Sequence, residues 1–157
     1  MTLMLRVLIV LMLYFPVTCL CQKNNAVQWE FSSGPPINNE VTLTLKASIA
    51  PGWHLYSQFI KDGGPIPTRI SFDQSFDFML IGKTEESGNS VKFHDEVYEM
   101  EITWYSETVS FFQKIKLNQF ASSIKGSVEY MTCNSYICAP DKQDFVIEIR
   151  PPKFDRR

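Results

Sequence analysis

The sequence lacks the features on which several large functional classes depend. Its 15 Lys and Arg are outnumbered by 17 Asp and Glu, giving a net charge of −2, and the basic residues form no block or stripe. We expect no nucleic acid partner, because neutralising phosphates requires clustered cations. The sequence also contains no Gly-x-Ser-x-Gly elbow, phosphate-binding loop or dinucleotide fingerprint, so nothing in it supports a hydrolase or a nucleotide-dependent enzyme.

Helical periodicity is missing as well, since no window of about 11 or more residues repeats its apolar positions every 3.6 residues. Apolar and polar residues instead alternate, most regularly over 41–49, and this period of two is typical of half-buried strands. We predict about nine short strands, with separate strands over 100–104 and 109–117, a polar surface loop over 83–91 and at most one helical turn over 120–124. With 45% hydrophobic residues, the pattern predicts an all-β, immunoglobulin-like antiparallel β-sandwich.

Residues 1–21 are typical of an export signal rather than of a folded segment. Arg6 precedes an unbroken apolar run that is too short for a membrane span of about 20 residues. Cys19 and Cys21 are small enough for the −3 and −1 positions of a cleavage site. We therefore expect a mature domain over residues 22–157 that is periplasmic or secreted, the alternative being an uncleaved N-terminal anchor.

Removal of the signal peptide leaves Cys133 and Cys138 as the cysteines of the mature chain. Four residues separate them, which suits a hairpin loop and lets the two side chains face each other across a strand pair. Cross-strand Cα atoms lie about 4.5–5.5 Å apart, a distance that a disulfide accepts. In an exported protein such a pair is most often a structural disulfide.

Two interpretations of this pair remain open from the residues alone. The first is a structural disulfide. Closing a loop of about six residues adds only about 2 kcal/mol to the stability of the fold in the chain-entropy model, and a sandwich of this size can fold without that contribution. As a reactive site, a hairpin tip gives an incoming thiolate access to the sulfur. Ala139 and Pro140 after Cys138 would release the backbone from pairing, and Lys142 is the nearest cation in sequence.

The two histidines, His54 and His94, could in principle complete a metal site with the cysteines. Their spacings match no zinc motif, and we expect neither a resident metal nor a cofactor. His54 is more simply explained as a hydrogen-bonded sheet residue, although beside the sulfurs its imidazolium would favour a thiolate. The tryptophans are predicted to fill the core, and they are Trp29, Trp53 and Trp104.

Five segments, in this order along the chain, are similar to the N-terminal periplasmic domain of DsbD, the bacterial thiol:disulfide interchange protein. The segments are residues 52–57 (GWHLYS), 64–68 (GPIPT), 95–98 (DEVY), 126–133 (GSVEYMTC) and 138–140 (CAP). The similarity spans nearly all of residues 27–150, and the order of the segments together with the cysteine pair makes it specific. It implies an immunoglobulin-like sandwich whose cysteine pair shuttles between dithiol and disulfide.

The resemblance also assigns roles to residues. Cys138 would form mixed disulfides with partner proteins, and Cys133 would resolve them. A cap loop would cover the pair until a partner docks, and its residues would be Asp95, Glu96, Val97 and Tyr98. The pocket beside the pair would be lined by His54 and Tyr56. Val97 stands where the best-known family member has an aromatic shield, a role that Tyr98 could take over, and that member has five residues between its cysteines.

The family implies protein partners rather than cofactors: thioredoxin-like proteins, a membrane electron carrier and periplasmic acceptors that carry disulfides. Because the sequence ends at Arg157 with no membrane-spanning or thioredoxin domain after it, we expect the electron carrier to be a separate protein. We therefore predict periplasmic thiol-disulfide exchange, of the kind that serves disulfide reduction and cytochrome c biogenesis. The alternatives are a secreted immunoglobulin-like binding module with a structural disulfide and a copper-handling domain.

Overall fold

The computed structural model of the protein describes residues 26–118 and 122–149, and all regular structure in these ranges is β-strand. The strands are β1 (Val27–Ser33), β2 (Glu40–Ile49), β3 (His54–Tyr56), β4 (Arg69–Phe72), β5 (Phe78–Asp95), β6 (Met100–Leu117), β7 (Ser123–Cys133) and β8 (Cys138–Glu148). The predicted all-β class is confirmed. None of the described segments forms a helix with the length and apolar character needed to cross a membrane. The predicted signal segment, residues 1–21, lies outside the described residues.

The second strand illustrates how sequence alternation becomes buried surface. The side chains of Val41, Leu43, Leu45, Ala47 and Ile49 are each at most 8% exposed, and the residues between them face outward. β2 pairs with β1 on one side and with β6 on the other, so it lies inside the sheet. A slip of one residue would turn the whole apolar set toward water, and the alternation therefore fixes the register.

All eight strands belong to one hydrogen-bonded antiparallel sheet, which curls into two layers. The order is β1-β2-β6-β3-β7-β4, with β5 added beside β6 and β8 added beside β7. The buried side chains of β2 and β6 pack against those of β7 and β8 in one large core. This packing is the antiparallel sandwich that the alternation predicts.

The polar stretch over residues 83–91 is part of a strand, so the predicted surface loop is wrong. These residues lie inside β5, which pairs with β6 from Phe78 to Asp95 with bulges between Ile81 and Glu85 and between Gly88 and Ser90. Main-chain hydrogen bonds do not depend on side-chain polarity, and this part of β5 is almost wholly exposed, so no apolar alternation marks it.

Two other predicted interruptions are also wrong. The strands predicted over 100–104 and 109–117 are one continuous strand, β6. The polar residues between the two predicted segments do not interrupt it, because their side chains are exposed while the main chain stays extended. Of the helical turn predicted over 120–124, Ser123 and Ile124 belong to β7, and residues 119–121 lie outside the described residues.

A second, smaller hydrophobic cluster lies beside the end of β7, apart from the main core. Its buried members are Tyr56, Ile60, Ile102 and Cys133, and it is flanked by Phe93, Met100, Trp104 and Met131. Trp29 and Trp53 pack against the main core as predicted, whereas Trp104 belongs to this second cluster. The cluster places one cysteine inside apolar surroundings.

Candidate functional site

Cys133 ends β7 and Cys138 begins β8, and the two residues are direct partners across the hairpin. Their Cα atoms lie 4.0 Å apart and their sulfurs are joined in a disulfide. The face-to-face placement predicted from the spacing is confirmed. The predicted release of the backbone after Cys138 is wrong, because Ala139 and Pro140 pair with Thr132 and Met131. Pro140 is tolerated there because β8 pairs with β7 alone among the described strands and is an edge strand.

The loop between the cysteines is held by its first residue. The Asn134 side-chain oxygen accepts hydrogen bonds from the amides of Tyr136, at 2.8 Å, and Ile137, at 2.9 Å. The Asn134 amide donates to the Ile137 carbonyl at 2.9 Å. Asn and Asp are suited to such turns because their short side chains reach the backbone two or three residues on. The loop therefore keeps the two sulfurs close together.

The two sulfur-bearing residues differ in their surroundings. Cys133 is 2% exposed and belongs to the second cluster, whereas Cys138 is exposed at the hairpin tip. Tyr136 and Ile137, beside Cys138, are 92% and 57% exposed. An incoming thiolate can therefore reach Cys138, and the sulfur that would leave is the buried one. Lys142 lies elsewhere, since its ammonium binds the Glu129 carboxylate at 3.0 Å.

Tyr56 contacts the buried sulfur, and His54 contacts Tyr56. They belong to β3, which runs between β6 and β7, and His54 is the register partner of Cys133. The Tyr56 hydroxyl donates a hydrogen bond to Cys133 Sγ at 3.4 Å, and His54 Nε2 lies 3.3 Å from the same hydroxyl oxygen. The Trp104 ring packs on the imidazole with centroids 4.1 Å apart.

Burial controls the protonation of both side chains. It lowers the pKa of His54 from its usual 6.5, because the imidazolium loses hydration. Burial is also the main cause that raises the pKa of Tyr56, and the nearby Tyr98 and Asp95 raise it further. At neutral pH the site therefore presents a neutral imidazole and a protonated hydroxyl beside the Cys133 sulfur.

The residues predicted for a cap form the turn between β5 and β6. The Asp95 carboxylate accepts hydrogen bonds from the amides of Val97, at 2.8 Å, and Tyr98, at 3.0 Å, and thereby closes the turn. Val97 is 87% exposed and Tyr98 43% exposed, while Glu96 is exposed as well. Asp95 and Tyr98 are the two that act electrostatically on Tyr56. That this turn covers the sulfurs stays a prediction.

A polar network that the sequence did not reveal fixes the end of β3. Thr68 donates from its hydroxyl to the Tyr56 carbonyl at 2.6 Å. The Glu86 carboxylate accepts from the Ser57 hydroxyl at 2.5 Å and from the Gln58 amide at 3.0 Å. These partners are 12 to 29 residues apart in sequence, so no local pattern marks them.

Trp104, Phe93 and Ile102 are the other residues that the sequence did not assign to the site. Phe93 and Trp104 pack with ring centroids 4.4 Å apart, and Ile102 is fully buried beside them. Their alternation predicts strands but not which of two clusters they join. Within residues 26–118 and 122–149, no group of three or more His, Cys, Asp and Glu side chains is arranged to hold a metal ion.

Comparisons with known proteins identify relatives of this fold. A family model described as "Thiol:disulfide interchange protein DsbD, N-terminal" matches residues 20–148. The N-terminal periplasmic domain of ScsB from Proteus mirabilis has 18% identity and a TM-score of 0.56, over 81% of this chain and 48% of that one. The reduced N-terminal domain of Neisseria meningitidis DsbD has 17% identity and a TM-score of 0.55, over 82% of this chain and 90% of that one.

Two further findings define the extent of these matches. The chain spans about half the length of the ScsB structure, and no curated protein sequence matches it. The structural likeness confirms the immunoglobulin-like antiparallel β-sandwich that the alternation predicts. Since the family model covers most of the sequence, this chain belongs to the family of N-terminal domains of the thiol:disulfide interchange protein DsbD.

Proposed function

We propose that this domain carries out thiol-disulfide exchange in the periplasm through a reversible Cys133–Cys138 disulfide. The observation that carries the proposal is the asymmetry of the pair: Cys138 is exposed, whereas Cys133 is 2% exposed and accepts a hydrogen bond from the Tyr56 hydroxyl. Exchange requires an attackable sulfur and a stabilised leaving sulfur. Family membership supports the same chemistry.

Reduction of the pair proceeds through a mixed disulfide. A partner thiolate attacks Cys138 Sγ, the bond to Cys133 breaks, and Cys133 leaves with the bonding electron pair as a thiolate. A second partner thiolate then attacks the partner sulfur in the mixed disulfide and releases Cys138. Two electrons and two protons pass from the partner dithiol to the pair, and the partner leaves as a disulfide.

Oxidation by an acceptor runs through the same residues in the opposite sense. The Cys138 thiolate attacks the acceptor disulfide, and Cys133 then attacks Cys138 Sγ, which reseals the pair and releases the acceptor as a dithiol. We propose thioredoxin-like proteins and a separate membrane electron carrier as electron donors, and periplasmic proteins with disulfides as acceptors. Tyr136 and Ile137, exposed beside Cys138, provide apolar contact area for such proteins.

The surroundings of the disulfide give little support to a purely structural role. β7 and β8 pair continuously from Ser123 with Glu148 to Cys133 with Cys138, so the hairpin is already held by its ladder. Closing so short a loop adds only about 2 kcal/mol in the chain-entropy model. The main core also excludes both cysteines.

Trapping experiments test this proposal. In Cys133→Ser the exposed Cys138 cannot be resolved, so we expect it to accumulate mixed disulfides with periplasmic thioredoxin-like proteins, visible on non-reducing gels and by mass spectrometry. The matched control is Cys138→Ser, in which the remaining thiol is buried and should trap far less.

A redox titration of the wild-type pair gives an independent test. We expect a reduction potential above about −300 mV, the limit below which structural disulfides resist the cellular thiol pool. A potential below that limit together with no trapped partner would contradict exchange, and the protein would then be a binding module with a structural disulfide.

A further inference from the structure

A chain of hydrogen bonds leads from the buried sulfur to a half-buried imidazole. The Tyr56 hydroxyl donates to Cys133 Sγ at 3.4 Å, and His54 Nε2 lies 3.3 Å from the Tyr56 hydroxyl oxygen. When the single proton of the hydroxyl is directed to sulfur, its oxygen accepts at the other contact. In the tautomer that matches, His54 Nε2 carries the ring proton, and the chain runs from imidazole to hydroxyl to sulfur.

Direct protonation of Cys133 by water is hindered. The residue is 2% exposed, and the cluster around it buries Ile102 completely and Tyr56 to 7% exposure. A thiolate formed in such surroundings is destabilised unless it is hydrogen-bonded or protonated. His54 is only half-buried, so its ring provides the connection between the cluster and solvent.

We propose that His54 and Tyr56 form a proton relay that serves the Cys133 sulfur. The inference rests on the proposed exchange function and extends it to the proton. When a partner thiolate opens the disulfide at Cys138, Cys133 takes the electron pair and the Tyr56 hydroxyl gives its proton to sulfur. His54 Nε2–H reprotonates Tyr56 as solvent protonates the ring at Nδ1, so that one proton passes from solvent to Cys133 and the neutral imidazole is left as its Nδ1–H tautomer.

The reverse transfer prepares Cys133 for its own attack. When Cys133 must resolve a mixed disulfide, the Tyr56 hydroxyl gives its proton to the free Nε2 of the Nδ1–H tautomer and takes the proton of Cys133, which leaves the thiolate that attacks Cys138. Nδ1 then returns its proton to solvent. Tyr56 is the catalytic residue of this relay because it touches the reacting sulfur. His54 acts through Tyr56 and is a positioning and proton-supplying residue.

Few other titratable groups face the relay. The turn between β5 and β6 contributes Asp95 and Tyr98, both of which raise the pKa of Tyr56, and β8 contributes Cys138. The neighbours from β5 and β6 are the uncharged rings of Phe93 and Trp104. Burial alone lowers the pKa of His54. A change of the normalised reduction rate with pH in the range where histidines titrate can therefore be attributed to His54.

The test measures reduction of the oxidised protein by dithiothreitol between about pH 5 and pH 8, with each rate divided by the thiolate concentration of the reagent. Quenching with acid, alkylation and mass spectrometry give the fraction reduced. In the wild type we expect the normalised rate to rise below the usual histidine pKa, because the imidazolium is a stronger acid toward Tyr56. His54→Gln should remove this rise, and Tyr56→Phe should slow the reaction about tenfold at all pH values.

His94→Gln is the matched control, since His94 is exposed on β5 and lies outside the cluster. It should keep the wild-type profile. Far-ultraviolet circular dichroism and thermal unfolding of the oxidised variants verify that each is folded. Wild-type profiles in both His54→Gln and Tyr56→Phe would overturn the relay while leaving the exchange function intact. If Cys133→Ser traps no partner and the wild-type disulfide does not react with the dithiol, both the relay and the exchange function would be overturned.

Discussion

At the scale of single residues, the half-buried His54 couples folding to pH. Burial lowers its pKa below the usual 6.5, so the unfolded chain binds a proton at His54 more readily than the folded protein does. The sign follows directly. The contribution of neutral His54 to stability is fully present above the unfolded pKa, and it is lost as the pH falls toward the lower pKa of the folded state.

We therefore predict that His54→Gln has a weaker dependence of stability on pH than the wild type. Urea titrations of the oxidised proteins at several pH values between about 5 and 7 measure the free energy of unfolding. The carboxylates are common to both proteins, so the difference between the two curves isolates the histidine. Equal slopes over this interval would contradict burial of a neutral imidazole.

Trp104 is the residue whose removal should expose that imidazole. It packs on His54 with centroids 4.1 Å apart and also contacts Phe93. In Trp104→Ala we expect the pKa of His54 to rise toward 6.5, because water regains access to the ring. Histidine ring resonances followed by NMR against pH measure the change, with His94 in the same spectra as an internal control. An unchanged His54 pKa would mean that other groups bury it.

At the scale of elements, the alternation of apolar and polar residues predicts the strands that face a core. It fails where both faces of a strand are exposed to solvent. The alternation predicts β2 correctly because one face of this strand is buried against the core. It misses the middle of β5, whose polar residues have no period of two although they pair with β6 through the main chain. A strand with no buried face shows no alternation of apolar and polar residues, so its pairing with a neighbour cannot be predicted from that pattern.

The same distinction applies to the site. The spacing of Cys133 and Cys138 is local, so their pairing across the hairpin could be predicted from the sequence. The contact between Tyr56 and Cys133 joins residues 77 positions apart, and only the resemblance placed Tyr56 near the sulfurs. Long-range contacts of this kind depend on which strands become neighbours, which a single sequence does not specify.

At Gly88 the backbone of β5 lies close to β6. A Cβ atom at this position would lie 2.7 Å from the Thr108 carbonyl oxygen and 3.1 Å from the Tyr105 ring. We expect Gly88→Ala to lower the free energy of unfolding by about 1–3 kcal/mol, because backbone must move to admit the methyl group. At the control position Gly34 the nearest atom, the Thr42 carbonyl oxygen, is 3.6 Å away. Urea denaturation should find Gly34→Ala near neutral, and equal effects would contradict the close approach.

The hairpin loop should influence the redox equilibrium through Asn134. Its side chain holds the amides of Tyr136 and Ile137 and so keeps the sulfurs together. In Asn134→Ala we expect a less stable disulfide, with the reduction potential raised by about 20 mV, which corresponds to about 1 kcal/mol. Ser135→Ala, an exposed position in the same loop, is the control. Equilibration with glutathione buffers measures both, and identical potentials would assign no role to the loop.

At the scale of the whole molecule, the structure separates stability from reactivity. Buried residues of seven described strands form the main core, whereas Cys133 belongs to the second cluster and Cys138 is exposed. We expect the double variant Cys133→Ala, Cys138→Ala to keep its fold and to lose only about 2 kcal/mol of stability. Circular dichroism and urea denaturation measure this, and a loss above about 5 kcal/mol would indicate a structural disulfide.

The ladder between β7 and β8 has one more consequence, for how a partner tells the two redox states apart. The cysteine Cα atoms are 4.0 Å apart at the end of a register that continues without interruption to Ser123 and Glu148. Because this ladder fixes the backbone on both sides of the pair, we expect reduction of the S–S bond to require little more than side-chain rotation and to leave the shape of the domain unchanged. A partner protein would then be unable to distinguish the oxidised from the reduced domain by its shape. It would distinguish them only by whether its own thiol or disulfide reacts with the cysteine sulfurs.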